Sequence, residues 1–188
     1  MDHEKVAGLI GELLREIGED PQREGLVDTP KRVAAAFEFL TSGYRGTPAE
    51  TVNRAVFVQE THNMVIARDI ELYSLCEHHL LPFFGRCHIG YIAQNRVIGV
   101  SKLARLVDLY ARRLQLQERL TDQIAHSLMK TMSADGVGVA IEAQHLCMMM
   151  RGVEKQNSMM TTSAMLGSFR NSVATRTEFL TLIGRRRP

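Results

Sequence analysis

No stretch of the 188-residue sequence approaches the ~18 consecutive apolar residues of a membrane-spanning helix. The first residues, MDHEKVAGLI, carry acids and lack a basic segment leading into an apolar one. No secretory signal peptide is therefore expected, and the expected compartment is the cytoplasm. Cysteine is scarce and odd in number, occurring as Cys76, Cys87 and Cys147. In a chain without an export signal this favours reduced thiols, available to a metal or to catalysis, over a disulfide framework. Neither sign of charge dominates, the formal net charge being +2. No nucleic acid or membrane partner is expected on that balance, and any anionic ligand must be recognised by locally placed cations. The sequence also lacks a Walker P-loop, a repeat of solenoid period and low-complexity segments. With 45% hydrophobic and 23% charged residues, what remains is a globular chain with room for one domain, or one domain and an appendage.

Hydrophobic periodicity organises that chain. Val6, Leu9, Ile10, Leu13, Leu14 and Ile17 recur at helical spacing over about residues 3–18. Thr29-Pro30 has the form of an N-cap followed by proline at the first helical position, opening a second helix that should end near Gly43. Residues 43–62 suggest a loop with one short helix around 49–56. The first 63 residues are thus expected to form a helical appendage, and residues 64–188 the main domain. There, MVIARDIELYSL and GRCHIGYIA have strand character, with a turn at CEHHLLPFFG between them. Gln94-Asn95-Arg96 suggests another turn. Two helices are expected next, one from Ser101 to Leu114 and one from about Gln117 to near Gly136. The segments VGVAIEAQHLCMMM and MTTSAMLGSF should be strands, followed by a short helix from Thr175 to Ile183 and a basic tail, GRRRP. The order β-β-α-α-β-β indicates an α+β domain.

Cys76 and His79 form C-x-x-H, with His78 beside them, on the turn between the first two strands. Alone this spacing is common among ordinary core residues. The segment QHLC adds His145 and Cys147, two apart, which an extended backbone would point to one face. Cys76, His79 and Cys147 together make a donor set suited to zinc, and three protein ligands would leave a fourth position open, as in catalytic sites. Three unrelated core residues would show the same spacing. His78 and His145 exceed that ligand count and are candidates either for proton transfer or for packing and hydrogen bonding around the metal. Ser101, Lys102 and Arg105 open a helix, where free amides and two cations suit phosphate. Arg151 follows Cys147 by four residues. Glu118, preceded by Gln117, begins the next helix; its carboxylate can accept from a paired ring N–H and amine, or can simply favour the helix dipole. Arg68 and Cys87 have no role that spacing suggests.

CEHHLLPFFGRCHIGYI, VIGVSKLARLVDLYARRLQLQERLT and HLCMMMRG, in that order, closely resemble GTP cyclohydrolase I, a family of zinc enzymes. The resemblance runs from about residue 25 to 183 and is densest over 64–183. It implies a tunnelling fold, in which ββααββ subunits join antiparallel sheets into an oligomeric barrel, with active sites between subunits. The implied assembly is a homodecamer of two stacked pentamers. It implies zinc on Cys76, His79 and Cys147, acid–base roles for His78 and His145, and guanine recognition by Glu118 with Gln117. Ser101 would lie near the ribose, and Lys102, Arg105 and Arg151 around the triphosphate. The implied reaction opens the imidazole ring of GTP, releases formate and yields 7,8-dihydroneopterin triphosphate. Two alternatives are a nitrile reductase-like enzyme of the same fold, which has no need of the zinc set, and a non-catalytic structural zinc protein.

Overall fold

A computed structural model of the chain describes residues 1–53 and 55–184; the basic tail beyond Gly184 lies outside the described residues. The chain divides into two compact units, Met1–Ser42 and Gly43–Pro188. The change of texture at Met64 marks the start of the main sheet, not the boundary between the units. In the first unit, α1 (His3–Glu16) and α2 (Thr29–Leu40) pack against each other. The Asp2 side chain caps α1 by accepting from the Lys5 amide. Asp28, not Thr29, occupies the N-cap position of α2, which moves Pro30 one place further into the first turn.

The second unit begins with α3 (Pro48–Val52), started by a capping box between Thr47 and Glu50. A short strand follows within the expected loop, β1 (Val56–Val58), and pairs antiparallel with β4 (Arg96–Ile98). The main sheet has five strands. Its body is β2 (Met64–Cys76), β3 (Pro82–Ile92), β6 (Gly136–His145) and β7 (Met160–Gly167), each antiparallel to its neighbour, with β5 (Leu114–Gln115) parallel to the end of β2. The order is β5-β2-β3-β6-β7. Because β5 covers only Leu75 and Cys76, most of the outer edge of β2 is open among the described residues, as is that of β7. Pro82 was expected in the turn but starts β3, a place in a strand that tolerates proline.

Two helices, α4 (Val100–Ala111) and α5 (Gln117–Met132), cover one face of the sheet. Leu103, Leu106, Leu120, Ile124 and Leu128 meet Leu72, Phe83, Ile89, Val139 and Ile141 in the core. In β2 the core-facing residues change parity, from Val65 and Ala67 to Ile70 and Leu72, across a bulge between Ala67 and Ile70. Asp69, in the bulge, has φ +58°, and its amide donates to His88 Nδ1 at 3.2 Å.

The opposite face is covered at one end by α7 (Ser168–Asn171) and α8 (Val173–Gly184). Phe169 and Phe179 stack edge to face there, 5.4 Å between centroids. They lie over Gly90 and Gly138, partners in the β3–β6 ladder, where added Cβ atoms would come within 2.7 Å of Phe179 and 2.5 Å of Phe169. The other end of this face is an open, polar groove lined by Glu71, Tyr73, Phe84, Arg86, Glu142 and Gln144. The remaining helix, α6 (Leu146–Met149), occupies what the sequence suggests is a continuation of β6. No helix among the described residues is long and apolar enough to cross a membrane.

Candidate metal centre

The C-x-x-H turn is tightly determined by backbone bonds. The amides of His79 and Leu80 both donate to the Cys76 carbonyl, and the Cys76 amide donates to Leu81. Leu80 takes a left-handed conformation, φ +57°, that returns the chain into β3. One side is held by β5: the Glu77 amide donates to the Gln115 carbonyl, and the Glu77 carboxylate pairs with Arg119 on α5. This helical turn places residues i and i+3 side by side, with Cys76 Sγ 3.9 Å from His79 Nδ1.

The third donor comes from the far side of β3. Phe83 is registered opposite His145, so the end of β6 lies beside the turn. The strand stops at His145 and coils into α6, which carries Cys147. Cys147 therefore reaches the site from a helical turn and not, as the extended reading of QHLC required, from the same strand face as His145. One ligand atom from each of Cys76, His79 and Cys147 lies within 4.8 Å of the others, and no other group of three or more His, Cys, Asp or Glu side chains among the described residues is so placed. Tetrahedral zinc with ~2.0–2.3 Å bonds separates its ligands by about 3.5 Å, so these donors need only a small contraction to hold it. Burial and the neighbouring Cys76 sulfur push the Cys147 thiol up, while Arg151 draws it down. A bound cation would favour the thiolates strongly.

His145 stacks on Phe83, 4.5 Å between centroids and 7° from parallel, and its Nε2 is 2.8 Å from Gln117 Oε1. Burial lowers its pKa, and the carboxylate of Glu118 opposes that shift. Glu118 is exposed at the start of α5, and Gln117 beside it is buried. His78 is exposed on the turn, its ring 6.1 Å from that of His79. Cys76, His78, His79, Gln117, Glu118, His145, Cys147 and Arg151 thus belong to one neighbourhood.

Ser101, Lys102 and Arg105 are carried by a different element. They lie in the first half of α4, whereas the C-terminal end of that helix leads into β5 beside Cys76. At ~1.5 Å of rise per residue, Ser101 and Lys102 stand about 14–15 Å along the axis from Ala111, and Arg105 about 9 Å. Arg68 donates to the Leu182 carbonyl at 2.9 Å. Cys87 is wholly buried in the core, which raises its pKa far out of the reactive range. Sequence reasoning missed Phe83 and Thr162 as supports of the site, because only strand register reveals them.

The family model for GTP cyclohydrolase I matches residues 6–184. A relative from Methylococcus capsulatus named GTP cyclohydrolase 1 is 61% identical over 184 residues, 98% of this chain and all of that protein. One from Chromohalobacter salexigens with the same name is 61% identical over 96% of this chain and 98% of its own length. A Pseudomonas aeruginosa relative, GTP cyclohydrolase 1 1, is 63% identical over 93% and 94%. Among solved structures, an archaeosine synthase QueF-Like aligns with TM-score 0.47 at 16% identity, covering 55% of this chain and 93% of that one. Identity near 60% over whole lengths leaves neither the nitrile reductase-like nor the structural-zinc alternative in favour. With its α+β architecture and matching sequence, the chain belongs to the tunnelling-fold GTP cyclohydrolase I family of enzymes.

Proposed function

We propose that this chain is a zinc-dependent enzyme that converts GTP and water to formate and 7,8-dihydroneopterin triphosphate, the entry reaction of pterin and folate synthesis. The observation that carries the proposal is the convergence of Cys76, His79 and Cys147 beside His145 and Glu118. Those three residues would hold the zinc, whose chemistry is that of a Lewis acid making water nucleophilic near neutral pH.

The remaining work belongs to the chain's own side chains. The Glu118 carboxylate accepts from the ring N–H and exocyclic amine of guanine and fixes the purine. Water adds at carbon 8 while a histidine, His145 or His78, gives a proton to nitrogen 7. The imidazole ring opens, a second hydrolysis releases formate, and the ribose rearranges and recloses with help from Ser101. Lys102, Arg105 and Arg151 hold the triphosphate.

The position of Ser101 and Lys102 in the first turn of α4, at the end opposite β5 and Cys76, supports their supply, with Arg105, by a neighbouring copy. Open edges on β2 and β7 support the joining of sheets between copies, and a homodecamer of two stacked pentamers is the proposed assembly. The proposed partners are GTP and further copies of this chain, with no nucleic acid or membrane, and the proposed compartment is the cytoplasm. Incubating purified zinc-loaded protein with GTP should release formate and a pterin that fluoresces after oxidation. Chelation should abolish both, and unchanged GTP in the zinc-loaded sample would refute the reading.

A further inference from the structure

Gln117 is the first residue of α5 and is 1% exposed. Its Nε2 lies 3.0 Å from the Ile141 carbonyl oxygen, 2.9 Å from that of Met160 and 3.1 Å from Thr162 Oγ1. Carbonyl oxygens only accept, so the amide nitrogen must face β6 and β7, and the flipped orientation is excluded. The threonine hydroxyls agree with this. Thr121 Oγ1 gives its single hydrogen to the Gln117 carbonyl at 2.7 Å. In the 2.7 Å contact between Thr121 and Thr162 the hydrogen therefore comes from Thr162, whose lone pairs are left to receive Gln117 Nε2. Both amide hydrogens are committed to the sheet. What remains is Oε1, an acceptor only, 2.8 Å from His145 Nε2.

We propose that Gln117 is a positioning residue that holds His145 in the Nε2–H tautomer, leaving Nδ1 as the ring nitrogen that exchanges a proton with the substrate. Phe83, stacked on the ring, fixes its plane. The orientation is set by two backbone carbonyls and cannot relax without breaking the bridge from α5 to β6 and β7. The proposal rests on the role given to His145 above. It also moves Gln117 from the purine, where family resemblance would put it, to the support of a histidine.

The test is nitrogen NMR of zinc-loaded protein with labelled histidine at neutral pH, using His145→Gln to identify the His145 signals. Hydrogen on Nε2 with a bare Nδ1 is expected; hydrogen on Nδ1 would overturn the assignment. In Gln117→Leu, kcat should fall about ten- to a hundredfold with the KM for GTP nearly unchanged. A large rise in KM at unchanged kcat would return Gln117 to base recognition and overturn the positioning role. The tautomer measurement needs no turnover and decides the proposal even if Gln117→Leu fails to fold. Conversely, a wild-type protein that released no formate would sink the proposed reaction while the tautomer result stood on its own.

Discussion

At Cys147 the local backbone decides what the sulfur can reach. A strand carried through QHLC would have aimed it alongside His145, whereas the coil into α6 turns it toward Cys76 and His79. Cys147→Ala should leave too few donors, so that purified protein carries little zinc by metal analysis and formate release falls at least about a hundredfold. Zinc retained at wild-type level would count against the centre. Glu118 is exposed and outside the ligand group, so its loss should spare the metal. Glu118→Ala should weaken GTP about ten- to a hundredfold, the worth of a charge-assisted pair of hydrogen bonds, at unchanged zinc content. An unaltered affinity in a titration would remove Glu118 from the guanine. The Cys and His donors that the structure brings together, and the histidines beside them, were legible as candidates in the sequence because zinc chemistry restricts donors to few residue types. The Gln117–His145 bond was not, since 28 positions separate the pair and only the register of β6 against β3 and β7 brings them together.

The bulge in β2 depends on an imidazole. His88 accepts the Asp69 amide, and burial lowers its pKa; the carboxylates of Asp69 and Glu142 oppose that shift, while Arg68 and Arg86 reinforce it. A lowered folded pKa means that His88 is neutral in the native sheet, while the unfolded chain takes up a proton below pH ~6.5. This contribution to stability is complete above that pH and is lost as pH falls through the window beneath it. Denaturant midpoints should therefore drop between pH 7 and pH 5, less steeply in His88→Gln, whose amide oxygen can still accept the Asp69 N–H. Some slope should persist in that variant, because burial lowers His145 as well. Equal slopes in the two proteins would show that His88 does not carry the effect. Across the ladder, Gly138→Val should clash with Phe169 and cost about 1–3 kcal/mol in a denaturation experiment. The long helices and the four strands of the sheet body follow from periodicities of 3.6 and 2. The apolar run LCMMM suits either strand or helix, which is why α6 was missed, and the two- and three-residue strands β1, β4 and β5 are too short to leave a pattern.

For the molecule as a whole, Ser101 and Lys102 lie at the end of α4 opposite Cys76, and if a neighbouring copy supplies them an isolated chain is incomplete for the proposed reaction. Two defective proteins should then rescue each other. Coexpressed Cys147→Ala and Lys102→Ala chains should assemble sites that combine the intact half of each, with formate release well above that of either variant alone. Activity no greater than the sum of the two would argue that each chain is self-sufficient. The rim of β7, and that of β2 beyond its pairing with β5, are open among the described residues, which carries a further consequence. In the proposed assembly, a subunit docking by one rim would present the other, so every addition would recreate the vacancy that it fills, and growth would halt only when the circle met itself. The number of copies would then be dictated by the cumulative angle between neighbours, to which every strand contributes its twist. A substitution that flattens or steepens the sheet, far from any subunit contact, would be expected to yield circles of another size or arcs that never close.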